Sequence, residues 1–301
     1  MSFDFAVLEF LQGIRTAAIG DAAVLVSALC NKIVIVALFC LIFWCGNKKY
    51  AYGLAMSFVF SALAAQGLKI LFAVERPFVR WNKIHPYKKA LKTATGYSFP
   101  SGHTQVASSL LVYTAFSVKH AWAKVLCFAT VFAVMLSRLF LGVHTPSDVL
   151  VSFIMTSLIC AAVNKFSFCL EKKHSLKTAV FGVCLSAAVL VFAYFCGAPF
   201  VMAEDCIETA VTSLALFVLY YIEINFIEFD SSKNFIKSKR FANPLKFVLG
   251  MLGVLVLYVS VGMIEEVLPD FAFAVKNIKN IVVFVWACCV YPIIIKRWAK
   301  C

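Results

Sequence analysis

Three cations, Lys69, Arg76 and Arg138, stand at or near the ends of apolar runs, and two histidines, His103 and His144, stand at the ends of neighbouring runs. A cation half-buried in apolar surroundings is costly unless paired, and a phosphate-like dianion is a natural partner for several of them. Arg offers a planar fork that matches phosphate oxygens, whereas Lys offers a point charge. Ser101 and Gly102 open the apolar run that follows Pro100. Unbonded N–H groups and the positive end of a helix dipole favour an anion there, and Gly lets it approach closely. His144 and Asp148 are four residues apart at another helix start, so they can share a face. A carboxylate on one ring nitrogen fixes the tautomer and leaves the other as a nucleophile. His103 can then protonate a leaving oxygen. Phosphoryl transfer is the chemistry these residue types suit. Thr145-Pro146-Ser147-Asp148 also reads as a helix N-cap followed by Pro at the first helical position, so Asp148 has a structural role open to it as well.

The elements that would position these residues are membrane helices. Of 301 residues, 62% are hydrophobic and 14% charged, too little polar surface for a water-soluble domain. Nine candidate spans fall at about 31–47, 50–72, 101–118, 121–141, 146–164, 178–198, 207–227, 244–264 and 278–295. Runs this long in lipid imply helices, so the expected fold is an all-α, polytopic membrane helical bundle. Alternation of the spans brings Lys69 and Arg76, Pro100 to His103, Arg138, and His144 to Asp148 to one membrane face. The organisation we expect is a 1–30 interfacial amphipathic segment, a 31–165 catalytic core and additional transmembrane helices over 166–301. In the first segment Phe3, Val7, Phe10, Leu11 and Ile14 recur at helical spacing.

Taken in order, Lys69-Ile-Leu-Phe-Ala-Val-Glu-Arg76-Pro77, then Pro100-Ser101-Gly102-His103, then Ser137-Arg138 with His144 and Asp148 at fixed spacing, closely resemble the three-part signature of the type 2 phosphatidic acid phosphatase family. That family also includes glucose-6-phosphatase and vanadium haloperoxidases. The resemblance covers about residues 45–165. It implies a haloperoxidase-like helical core in which His144 attacks phosphorus, Asp148 orients it, and His103 serves the leaving group and then water. Lys69, Arg76, Ser101, Gly102 and Arg138 would hold the phosphoryl oxygens. It implies no cofactor and no metal. The sequence agrees, since no cluster beyond His144 and Asp148 has ligand spacing.

The implied substrate is a lipid phosphate or prenyl diphosphate of the phosphatidate, phosphatidylglycerophosphate or undecaprenyl diphosphate type. A soluble sugar phosphate, or a phosphotransferase reaction to a lipid acceptor, are the alternatives. Partners are then that substrate and the lipid bilayer. The net charge of +13 is spread in short patches between spans, which speaks for topology and an anionic substrate and against nucleic acid. Lys and Arg concentrate at 48–49, 119–124, 165–177, 233–246 and the C-terminus, so the positive-inside rule expects a cytoplasmic C-terminus and a site on the non-cytoplasmic face of an inner or plasma membrane. Lys83, Lys88, Lys89 and Lys92 either steer anionic headgroups or are simply solvated. Glu208 and Glu223 lie toward the ends of their span, where solvated positions are expected. Most cysteines sit in apolar runs as small hydrophobes, with Cys196 and Cys206 near enough to consider as a pair.

Overall fold

The computed structural model describes residues 3–235 and 239–298. All regular structure among them is helical. In chain order the helices are α1 (Phe3–Gly13), α2 (Ala17–Ala28), α3 (Lys32–Cys45), α4 (Lys48–Phe72), the short α5 (Pro77–Arg80), α6 (Gly102–Ser117), α7 (Ala121–Phe140), α8 (Pro146–Lys165), α9 (Ser175–Phe195), α10 (Phe200–Ile222), α11 (Lys239–Val267), α12 (Ala272–Val285) and α13 (Tyr291–Trp298). Among the described residues, eight helical stretches are long and apolar enough to cross a membrane. They correspond to eight of the nine expected spans. The remaining one, α6, has 16 residues and carries Thr104, Gln105, Ser108 and Ser109 buried along it. Most of these polar groups find partners inside the protein, while the Ser108 hydroxyl has none among the described residues. Gln105 donates to Ser61 Oγ at 2.7 Å and to the Phe58 carbonyl at 3.3 Å. α7 and α8 instead expose Trp122, Leu126, Phe132, Ile154 and Leu158. Large apolar side chains in water would be unfavourable, and in a bilayer they are solvated.

The chain forms two compact units. One comprises Met1–Val34, Leu54–Lys165 and Val189–Thr209, the other Ile35–Gly53, Phe166–Ala188 and Ala210–Cys301. In the first, α6 packs on α7 and α8, and α1 and α2 lie against α7. The N-terminal segment is indeed helical, and its packed face is Phe5, Leu8 and Leu11, while Phe3 and Phe10 are exposed. α1 is also tied by polar contacts to the turns that carry the site. Asp4 accepts from Ser147 N at 3.2 Å and Oγ at 2.9 Å. Gln12 accepts from His85 N at 2.6 Å, and Arg15 donates to the carbonyls of His85 and Phe140 at 2.7 and 2.9 Å.

In the second unit α11 packs on α12. A Cβ on Gly250 would come within 2.3 Å of Trp44 and 2.6 Å of Tyr291, so only glycine admits those two rings against α11. Trp44 Nε1 donates to the Ala287 carbonyl at 2.9 Å and the Tyr291 hydroxyl to the Lys246 carbonyl at 2.5 Å, which gives each buried ring a partner for its polar atom. Glu223 does not have the solvated position expected of it. It is fully buried, pairs with Lys48 at 2.6 Å and accepts from Phe229 N at 3.0 Å. Glu208 is also buried. Position within a span misled here, because the chain folds back after Ile227 and covers Glu223. Cys196 and Cys206 are both free thiols, the first exposed and the second buried.

Candidate active site

Four helix termini of the first unit meet: the end of α4, the start of α6, the end of α7 and the start of α8. Two of these starts are tied together. Ser101 N donates to the Asp148 carbonyl at 3.1 Å, and Ser152 Oγ donates to the Ser101 carbonyl at 2.8 Å. Ser101 caps α6, its hydroxyl accepting from Thr104 N at 3.5 Å. At α8 a reciprocal capping box forms. Thr145 N donates to Asp148 Oδ2 at 2.8 Å, and Asp148 N donates to Thr145 Oγ1 at 3.2 Å.

Asp148 therefore does have the capping role, and the same oxygen also faces His144, with Nδ1 at 3.5 Å. That separation is long for a hydrogen bond. The residue between them is Ser98, which sequence reasoning passed over. Its hydroxyl donates to Asp148 Oδ2 at 2.6 Å and lies 3.4 Å from His144 Nδ1. Its only sequence signal is its place two residues before Pro100 in a loop.

Arg76 sits on the other side of the imidazole. Its Nη1 is 2.9 Å from His144 Nε2 and donates to the Val143 carbonyl at 3.2 Å. Its Nη2 donates to the Thr95 carbonyl at 2.5 Å and its Nε to the Gly96 carbonyl at 3.2 Å. Three main-chain carbonyls thus fix the guanidinium plane. Since a guanidinium only donates, Nε2 of His144 is the acceptor and carries the lone pair. Burial, and then the Arg76 charge, hold the His144 imidazole below its ordinary value of 6.5, while Asp148 pulls the other way. The ring is accordingly neutral at neutral pH.

Lys69 is buried and reaches toward the start of α6, its Nζ 4.0 Å from where a Cβ on Gly102 would stand. Arg138 is fully buried. Its Nη1 donates to Ser27 Oγ at 3.2 Å, while Nε and Nη2 have no hydrogen-bond partner among the described residues. Two orphaned guanidinium donors in a buried setting are costly, and an oxyanion would satisfy both. His103 is half-buried and lies within electrostatic range of Arg138, His144, Arg76 and Lys69 together. The structure thus brings together all eight side chains or backbone positions expected at the site: Lys69, Arg76, Ser101, Gly102, His103, Arg138, His144 and Asp148. Among the described residues no group of three or more His, Cys, Asp or Glu has the arrangement to hold a metal ion.

These features define a class: a helical integral membrane protein with a cation-rich, histidine-containing site where four helix ends converge. Residues 49–172 match the family model of the PAP2 superfamily. That segment contains all eight positions and Ser98, and it bears out the family resemblance read from the three motifs. The chain is 31% identical over 113 residues to an undecaprenyl-diphosphatase of Sulfolobus acidocaldarius, covering 38% of this chain and 53% of that protein. It thus spans about half the length of the curated relative it matches. It also resembles the solved transmembrane PAP2 type phosphatidylglycerolphosphate phosphatase of Bacillus subtilis, with TM-score 0.45 and 22% identity over 54% of this chain and 83% of that one.

Proposed function

We propose that this protein is a membrane phosphatase that hydrolyses a lipid phosphate or prenyl diphosphate through a phosphohistidine at His144. The observation that carries the reading is the buried Arg138, whose Nε and Nη2 lack partners beside an imidazole kept neutral with its lone pair on Nε2. Nε2 attacks phosphorus and the bond from phosphorus to the leaving oxygen breaks. For this the substrate takes the place of Arg76 Nη1 on that nitrogen. Arg76, Arg138, Lys69 and the N–H groups at Ser101 and Gly102 bind the phosphoryl oxygens and stabilise the charge that develops. The bound dianion lets His103, ringed by cations, hold a proton. His103 gives it to the leaving oxygen, then takes one from the water that cleaves the N–P bond. Asp148 and Ser98 hold the Nδ1 side of His144 and fix its tautomer.

The family match and the undecaprenyl-diphosphatase relative favour a tailed substrate. A site at helix ends lets the tail stay in lipid while the headgroup reaches the cations. We place that site on the non-cytoplasmic face, with the C-terminus cytoplasmic, from the distribution of Lys and Arg. No step needs a metal. The test is phosphate release from a panel of lipid phosphates, prenyl diphosphates and glucose 6-phosphate in EDTA. Turnover of the lipids, an acid-labile and base-stable phosphoenzyme, and loss of both in His144→Ala are expected. Turnover of glucose 6-phosphate alone would redirect the substrate assignment, and abolition by EDTA would overturn the histidine-only mechanism.

A further inference from the structure

The loop 94–98 is the hinge of the site. Its Thr95 and Gly96 carbonyls hold Arg76, and its Ser98 hydroxyl holds Asp148. The loop is anchored on one side by Ser98 N, which donates to the Val74 carbonyl at 2.7 Å. On the other side it meets the start of α10, outside the family-matched segment. Thr95 Oγ1 donates to Asp205 Oδ2 at 2.8 Å. Gly96 adopts φ +58°, and a Cβ there would lie 3.6 Å from the Met202 carbonyl and 3.8 Å from Asp205 Oδ2. Beneath this contact Ala203 and Cys206 of α10 form one buried cluster with Ile70, next to Lys69, and with Ala193 of α9, and Tyr97 of the loop packs on it. Asp205 is also within electrostatic range of both Lys69 and Arg76.

We propose that Asp205 is a positioning residue: through Thr95 it braces the loop whose carbonyls orient Arg76, so that the α9–α10 turn helps to set the phosphate-binding geometry. The contact is exposed and involves a single hydroxyl, so it adds precision to a loop already anchored at Ser98 and does not hold the fold together. Its effect on turnover rests on the phosphatase reading above; its effect on the loop does not.

The test uses the full-length protein in lipid nanodiscs, with two readouts. One is amide hydrogen exchange of the segment 94–99; the other is phosphate release from phosphatidate and farnesyl diphosphate. In Asp205→Ala and in Thr95→Val, exchange of the segment should rise about fivefold and kcat should fall by about the same factor, the scale of one typical lost hydrogen bond at an exposed position, with KM changing less. Thr95→Ser and Asp205→Asn keep a donor and an acceptor and should recover most of both. Exchange and turnover within about twofold of wild type in both disruptive variants would overturn the brace. So would a failure of the conservative variants to recover, since that is general damage at the turn. A wild-type protein that releases no phosphate, while the variants still loosen the loop, would sink the phosphatase reading and leave the brace standing.

Discussion

At the scale of single residues, the site is organised around which atoms are satisfied. Arg76 has four acceptors and is immobilised, whereas Arg138 has one and two free donors. Of the two arginines, Arg138 is therefore the one with more to gain from an oxyanion. Arg138→Lys keeps the charge and loses the fork, and we expect kcat/KM to fall about 10- to 100-fold, read from initial rates on a lipid phosphate. Ser98→Ala removes the shortest bond to Asp148 Oδ2 and should lower kcat about tenfold with little change in KM. His144 fixes the pH behaviour. Its folded pKa lies below the ordinary 6.5, so the reactive neutral ring persists as pH falls past that value. The acid limb of kcat/KM, corrected for ionisation of the substrate, should accordingly have its midpoint below 6.5. The same depression has a sign for stability. Below about pH 6.5 the unfolded imidazole takes up a proton that the folded one does not, so this residue makes the fold less stable as pH drops through that window.

At the scale of elements, the helix starts of α6 and α8 do two jobs at once, capping the helices and positioning the side chains of the proposed site. Ser101→Ala removes the α6 cap and should cost about 1 kcal/mol, measured as a drop in thermal unfolding temperature of the detergent-solubilised protein. Much of this level was legible in the sequence. The three motifs, their spacing and the apolar runs between them place the site at one set of helix ends without further information. The capping box at Thr145 and Asp148 could be read as well, because it is local. What escaped was whatever depends on pairing between distant segments. Ser98 matters only because the loop turns it toward Asp148, and Asp205 only because α10 returns to the loop. Glu223 looked solvated because its partner, Lys48, is remote in sequence. α6 reads as a span by its boundaries, and with 16 residues it is shorter than the eight stretches long enough to cross a membrane.

At the scale of the whole molecule, chemistry and scaffold fall in different stretches of chain. The second unit carries none of the eight expected site positions, and its pair of half-buried Lys48 and buried Glu223 is structural on the contacts it makes. Lys48→Met leaves the Glu223 carboxylate buried without its cation. We expect about 3 kcal/mol of destabilisation, seen as a lower unfolding temperature, with the KM of the remaining folded enzyme unchanged. A larger change in KM than in stability would show that this pair reaches the site.

The brevity of α6 has a consequence for how the proposed tailed substrate would be met. Sixteen residues rise only about 24 Å, some 6 Å less than a typical hydrocarbon slab. The far end of α6 runs into the exposed Lys119 and His120, which belong at the water boundary, so the shortfall falls at the Ser101 end. On the proposed reading the site would then be sunken below the headgroups, and an acyl or prenyl chain would not need lifting out of its leaflet, at a saving of about 0.8 kcal/mol for each methylene left in place. Thicker bilayers would bury it further, and turnover should track acyl-chain length of the host lipid.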